Sequence, residues 1–116
     1  MTNLEDAEKK LKLADFLISQ SGDEIARGAV QHILLAANIA VSTYLNLNAA
    51  ISPMLIQSKL EKSEHREVVD FARSYVSLWK LSTSQKPSKI EIGNAYKSVK
   101  SFVYWVKQNR GLEINA

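Results

Sequence analysis

Residues 29–47 read AVQHILLAANIAVSTYLNL, and no side chain in this stretch carries a charge. Wound at about 100° per residue, Ala29, Ile33, Ala36, Ala40 and Leu47 fall on one side of a helix, and Val30, Leu34, Ala37, Val41 and Tyr44 cover a neighbouring side. A helix that is apolar over more than one face is surrounded by protein. The stretch is also long enough to cross a bilayer. However, Gln31, His32, Asn38, Ser42, Thr43 and Asn46 are too many polar groups for a lipid-facing span. The expectation is a central helix of a soluble bundle with no membrane partner, its four alanines letting neighbours approach closely.

Working outward, the helix boundaries are marked by capping chemistry. Thr2 and Glu5 have capping-box spacing ahead of Leu4, Ala7, Leu11, Ala14 and Ile18, a +3/+4 apolar rhythm. Gly22 is placed to stop that helix and Asp23 to cap the next, which then runs from about Glu24 to Leu47. Between Asn48 and Ser63, Ser52-Pro53 reads as an N-cap followed by a first-turn proline, so a short helix is expected over 53–60. Without it, a long coil would interrupt a small domain. Ser63 and Glu67 open a third long helix with Val68, Ala72, Tyr75 and Trp79 inward, ending before the polar run Ser82 to Pro87. Ser88 and Glu91 form another capping box. Behind it Ile92, Ala95, Val99, Phe102 and Val106 step along one face, and Gly111 stands where a stop belongs. No segment alternates with period two for long enough to make a sheet. The pattern predicts an all-α chain in one domain, 1–116: an antiparallel, up-and-down four-helix bundle with a short extra helix.

Composition narrows the chemistry. The chain has 116 residues, 46% of them hydrophobic, with two prolines and four glycines, as a compact helical domain requires. With no cysteine, disulfides, thiolate nucleophiles and cysteine-bound zinc are excluded together. The polar start MTNLEDAEKK lacks the apolar core of a signal peptide, so a cytoplasmic location is expected. No glycine-rich phosphate loop and no Gly-x-Ser-x-Gly elbow occurs, and two histidines without a Glu-x-x-His pair give no metal set. No cofactor and no metal are expected. Charge is uneven: residues 1–58 carry a net −2 and residues 59–116 a net +5. In the last helix Lys97, Lys100, Tyr104 and Lys107 share a stripe opposite the apolar side. Lysines with an interleaved tyrosine suit phosphate contact and base stacking, so RNA is a candidate partner; a solvated lysine face is the plainer reading. Trp105 is expected at the core edge, sealing a helix–helix or subunit contact, and Trp79 in the core.

The Ala- and Leu-rich first helix (AEKKLKLADFLIS), the short glycine turn, the Ala-rich second helix (GAVQHILLAANIAVSTYL) and the last helix (AYKSVKSFVYWVKQ) resemble HEPN domains over nearly the whole chain. The resemblance implies a small helical bundle, commonly a homodimer. It also implies one of three roles: RNase, toxin of a toxin–antitoxin pair, or non-catalytic partner of a minimal nucleotidyltransferase. The family's catalytic signature is an arginine, four to six intervening residues and then a histidine, and Arg27 to His32 matches it formally. It departs from the family in lying at the start of helix two and in having Gly28 after the arginine. Five residues turn a helix by about 140°, so Arg27 faces away from the core while His32 flanks the apolar side; the two could meet only across a dimer. The expected function is therefore a non-catalytic HEPN-like interaction module, with an RNase using Arg27 and His32 as the alternative. His32 is expected to be a hydrogen-bonded histidine between helices. Glu64, His65, Arg66 and Glu67 are expected to form a charged cap.

Overall fold

A computed structural model describes residues 4–19, 23–46, 52–84 and 88–114, with the backbone alone at 23–27 and 110–114. The described residues form five helices and no strand: α1 (Leu4–Ser19), α2 (Asp23–Leu45), α3 (Pro53–Glu61), α4 (Arg66–Thr83) and α5 (Lys89–Ile114). The all-α expectation holds, and so does the extra short helix.

Local chemistry accounts for most boundaries. At α3, Ser52 Oγ accepts from the Leu55 amide at 3.2 Å and Pro53 fills the first turn. At α5, Glu91 N–H donates to Ser88 Oγ at 3.1 Å, and the Glu91 carboxylate accepts from the Ser88 backbone N–H at 3.4 Å and from its hydroxyl at 2.9 Å, a closed capping box. Asn46, at φ 54°, turns the chain out of α2 one residue past Leu45, two residues earlier than the apolar pattern alone implies. The capping roles expected of Thr2, Gly22 and Pro87 lie outside the described residues.

Three further boundaries differ from the sequence reading. Ser63 does not cap α4: its hydroxyl is engaged by Tyr44 Oη at 2.7 Å and by the His65 amide at 3.0 Å, and the helix starts three residues later behind His65, whose side chain makes no cap bond. Helix α4 continues through Thr83, where the Ser82 and Thr83 hydroxyls bond back to the carbonyls of Trp79 and Lys80, at 2.7 and 2.9 Å. Helix α5 passes through Gly111 to Ile114, since glycine ends a helix only where it adopts a left-handed turn.

All five helices feed one hydrophobic cluster. Helix α2 packs on α1, α4 and α5; α5 also packs on α1 and α4, and α3 rests on α4. Ala29, Ala36, Ala37 and Ala40 are completely buried, which is what brings the α2 backbone close to its neighbours. Residues 28–45 have the length and apolarity of a membrane span, yet 44% of that window is buried inside the protein. Its polar groups are partly used within the fold: Thr43 bonds back to the Ile39 carbonyl, and Asn38 Oδ1 accepts from Tyr75 Oη at 2.6 Å. Tyr75 is fully buried, and burial pushes its hydroxyl above the ordinary value of 10.0, with the Trp79 side chain acting in the opposite sense.

Aromatic rings tie α2, α4 and α5 together. Phe71 and Phe102 stack face to face at 4.0 Å, inclined by 2°. Tyr75 and Trp79 continue the row along α4, and Trp105 with Tyr44 continues it at the other end. Trp105 thus seals a helix–helix contact at the core edge. Trp79 lies only partly buried against the core, and its indole N–H is buried without a hydrogen bond of good geometry among the described residues.

Two outcomes follow from these contacts. A Cβ added at Gly93, inside α5, meets nothing within 4 Å. Gly93→Ala is expected to raise unfolding free energy by about 0.5–1 kcal/mol, seen as a higher urea midpoint at unchanged m-value. The partly buried Asn38–Tyr75 bond is expected to be coupled. Asn38→Leu alone strands the Tyr75 hydroxyl and costs about 1–3 kcal/mol, whereas adding Tyr75→Phe recovers part of that loss. Additive single-variant losses in the double-mutant cycle would refute it.

Candidate functional site

The Arg27–His32 pair sits wholly within α2, five residues and about 140° of helix rotation apart. The Arg27 side chain lies outside the described residues. His32 is half-buried, and its Nδ1 is buried with no hydrogen-bond partner among the described residues, so the expected hydrogen-bonded histidine is not what that nitrogen shows. A buried, unpaired nitrogen on an otherwise apolar helix is a cost, on the order of 1–3 kcal/mol. Along α2, Gly28, His32, Leu35 and Ile39 follow one another at +4, +3 and +4 and so share a face. Leu17 of α1 lies beside that face: its Cδ1 is 3.8 Å from where a Gly28 Cβ would stand.

The lysine stripe of α5 is real as a surface. Lys97, Lys100, Tyr104 and Lys107 are all exposed, Tyr104 to 64%. Lys107 is committed elsewhere, its Nζ 2.9 Å from Glu8 Oε1 of α1, and that hydrogen bond with its charge holds the Lys107 ammonium above its usual range. Lys100 Nζ stands 5.8 Å over the Tyr96 ring centre. The structure therefore leaves a shorter basic stripe than the sequence spacing implies.

His65 stands at the N-cap position of α4 without a side-chain cap bond, and its ring is used elsewhere. The His65 ring lies 5.0 Å from Trp105, joining the start of α4 to the last helix. Arg66 pairs with Asp70 at 3.8 Å, with both side chains largely exposed. Beside them a groove of about 440 Å³ opens between α4 and α5. Glu67 and Asp70 stand at its rim, Phe71, Phe102 and Trp105 line it, and Ser74, Ser98 and Ser101 keep it open. Sequence reasoning missed this groove. The signal available was the Glu67–Asp70 pair at i,i+3 with Phe71 beside it and serines at corresponding turns of the last helix.

Among the described residues, no three His, Asp or Glu side chains gather as a metal set. No family model, no curated protein and no solved structure matches the chain.

The unpaired His32 nitrogen has a measurable consequence. His32→Leu is expected to leave unfolding free energy unchanged or to raise it by about 1 kcal/mol, since an apolar group removes the unpaired polar atom. A loss of more than about 1 kcal/mol in urea unfolding would mean that the ring's remaining contacts hold the fold.

Proposed function

We propose that this chain is a non-catalytic, HEPN-like helical interaction module that acts as a homodimer, with its four long helices arranged up and down as an antiparallel bundle. The observation that carries this reading is an apolar surface on α1 and α2. Leu13, Phe16 and Leu35 are 47%, 60% and 47% exposed, and half-buried Leu17 and Ile39 lie among them. Helical spacing puts Leu13 and Leu17 in one row on α1, beside the Gly28–His32–Leu35–Ile39 row of α2. Clustered apolar side chains left in water mark a protein contact, and a patch of this kind suits the self-complementary face of a two-fold dimer. Leu17 beside Gly28, and Glu8 beside Lys107, agree with neighbouring helices running in opposite directions. The resemblance supplies the class of second partner, a minimal nucleotidyltransferase in a toxin–antitoxin type of pair.

Size-exclusion chromatography with light scattering tests the dimer. The full chain is expected at twice its 13.0 kDa mass, and Leu13→Glu with Leu35→Glu at 13.0 kDa with helical circular dichroism retained. A wild-type monomer at high micromolar concentration, or a dimer indifferent to both substitutions, would reject this face. The non-catalytic half is tested separately by incubating pure protein with RNA in EDTA. No cleavage is expected. Cleavage abolished by His32→Ala would replace this reading with the metal-independent RNase that uses Arg27 and His32.

A further inference from the structure

We propose that the groove between α4 and α5 is a binding site for a cationic side chain, an arginine presented by a partner protein, received between the Glu67 and Asp70 carboxylates and the Trp105 and Tyr104 rings. The site uses different helices from the apolar α1–α2 face and goes beyond the dimer reading; it stands for a monomer as well as for a dimer.

Three features of the groove carry this. The first is space. Where α4 and α5 face each other, Ser74, Ser98 and Ser101 replace the large side chains that would fill the gap, leaving about 440 Å³ open to solvent, ample for one arginine side chain. The second is an aromatic lining held in place from below. The Phe71–Phe102 stack is buried, with 4% and 3% of each residue exposed, and the Phe102 and Trp105 rings lie nearly parallel, inclined by 12°. His65 and Tyr44 flank the same indole, at 5.0 and 5.7 Å, so Trp105 is fixed before a ligand arrives. The third is charge. Glu67 and Asp70 project from successive turns of α4 on the groove side. Asp70 pairs with Arg66 at 3.8 Å, the Arg66 and Asp70 side chains being 92% and 72% exposed, a pair loose enough to be displaced.

These features select the ligand. Guanidinium is planar and weakly hydrated, so it stacks on an aromatic face while its N–H groups donate to carboxylates. An ammonium is more strongly hydrated and gains less from the rings. Phosphates are repelled by the two acids. Lys100 and Lys107 sit about 100° or more around α5 from groove residues Ser98, Ser101, Phe102 and Trp105, whereas Lys97 stands one turn before Ser101 and borders the groove.

The test is a titration of the 15N-labelled full chain with N-acetyl-arginine methylamide and with its uncharged citrulline analogue. Readouts are the Trp105 indole resonance, assigned through Trp105→Phe, and the Ser74 and Ser101 amides. The arginine compound is expected to shift these signals saturably, and the citrulline compound to bind about tenfold more weakly. Glu67→Gln with Asp70→Asn, both exposed positions, is expected to weaken arginine binding about tenfold with helical circular dichroism intact. Leu13→Glu with Leu35→Glu is expected to leave it unchanged, which separates this site from the dimer face. The proposal is overturned by equal binding of citrulline, by unchanged affinity in the carboxamide variant, or by absence of groove shifts at about 0.1 M arginine compound. It is equally overturned if a short oligoribonucleotide moves the same resonances more tightly, or if they move with protein concentration alone, which would assign the groove to a second copy.

Discussion

Close approach of α2 to its neighbours is the constraint on which the fold depends. Four alanines with no exposed surface keep that helix narrow where α1, α4 and α5 meet it. A larger side chain at Ala36 or Ala37 would push a neighbouring helix outward or force its own rotamer, and overpacking of that sort typically costs 1–3 kcal/mol. The absence of charge from residue 29 to residue 45 suits the same crowding, because an ionised group on the buried side of the helix has no water and no room for a partner. The polar groups it does keep are handled individually. Asn38 meets Tyr75, Thr43 bonds its own helix, and the Nδ1 of His32 stays unpaired among the described residues.

Packing against a narrow α2 determines where the large rings go. Alanine leaves volume, and the aromatic side chains of α4 and α5 take it up. The Phe71–Phe102 stack is the centre of that row, with Tyr75 beyond it toward one end and Trp105 toward the other. The same row fixes the floor of the α4–α5 groove. A rigid floor matters for recognition because a ligand then meets rings already oriented and loses less entropy in ordering them. The small alanines of one helix and the binding surface between two others are thus linked through a single layer of side chains.

What was legible in the sequence divides by the distance over which each interaction acts. Capping at Ser52-Pro53 and at Ser88-Glu91 was readable because donor and acceptor lie within one turn, and backbone geometry alone brings them together. The buried faces were readable because period and burial are properties of one helix at a time. Ser63 looked like a cap by the same logic and was not one, since Tyr44, nineteen residues earlier, reaches its hydroxyl. Glu8 with Lys107, Asn38 with Tyr75 and His65 with Trp105 were equally invisible. Each depends on the relative height of two helices, which neither helix's own pattern contains. The candidate lysine stripe shrank for that reason: Lys107 belongs to α1 as much as to α5.

Helix α5 therefore presents two electrostatically distinct sides from one sequence. Toward α1 it carries Lys107, paired with Glu8; toward α4 it carries serines and rings opposite the acids of α4. The net charge of +3 is a poor guide to either side, because screening over about 10 Å lets each surface act on a ligand nearly alone. A cation entering beside Glu67 and Asp70 meets two carboxylates, while Lys100 and Lys107 on the far side of the helix act through intervening solvent. Local composition rather than total charge decides what each side of α5 recognises, and it is the small serines, by leaving the groove open, that let the acids and the rings be reached together.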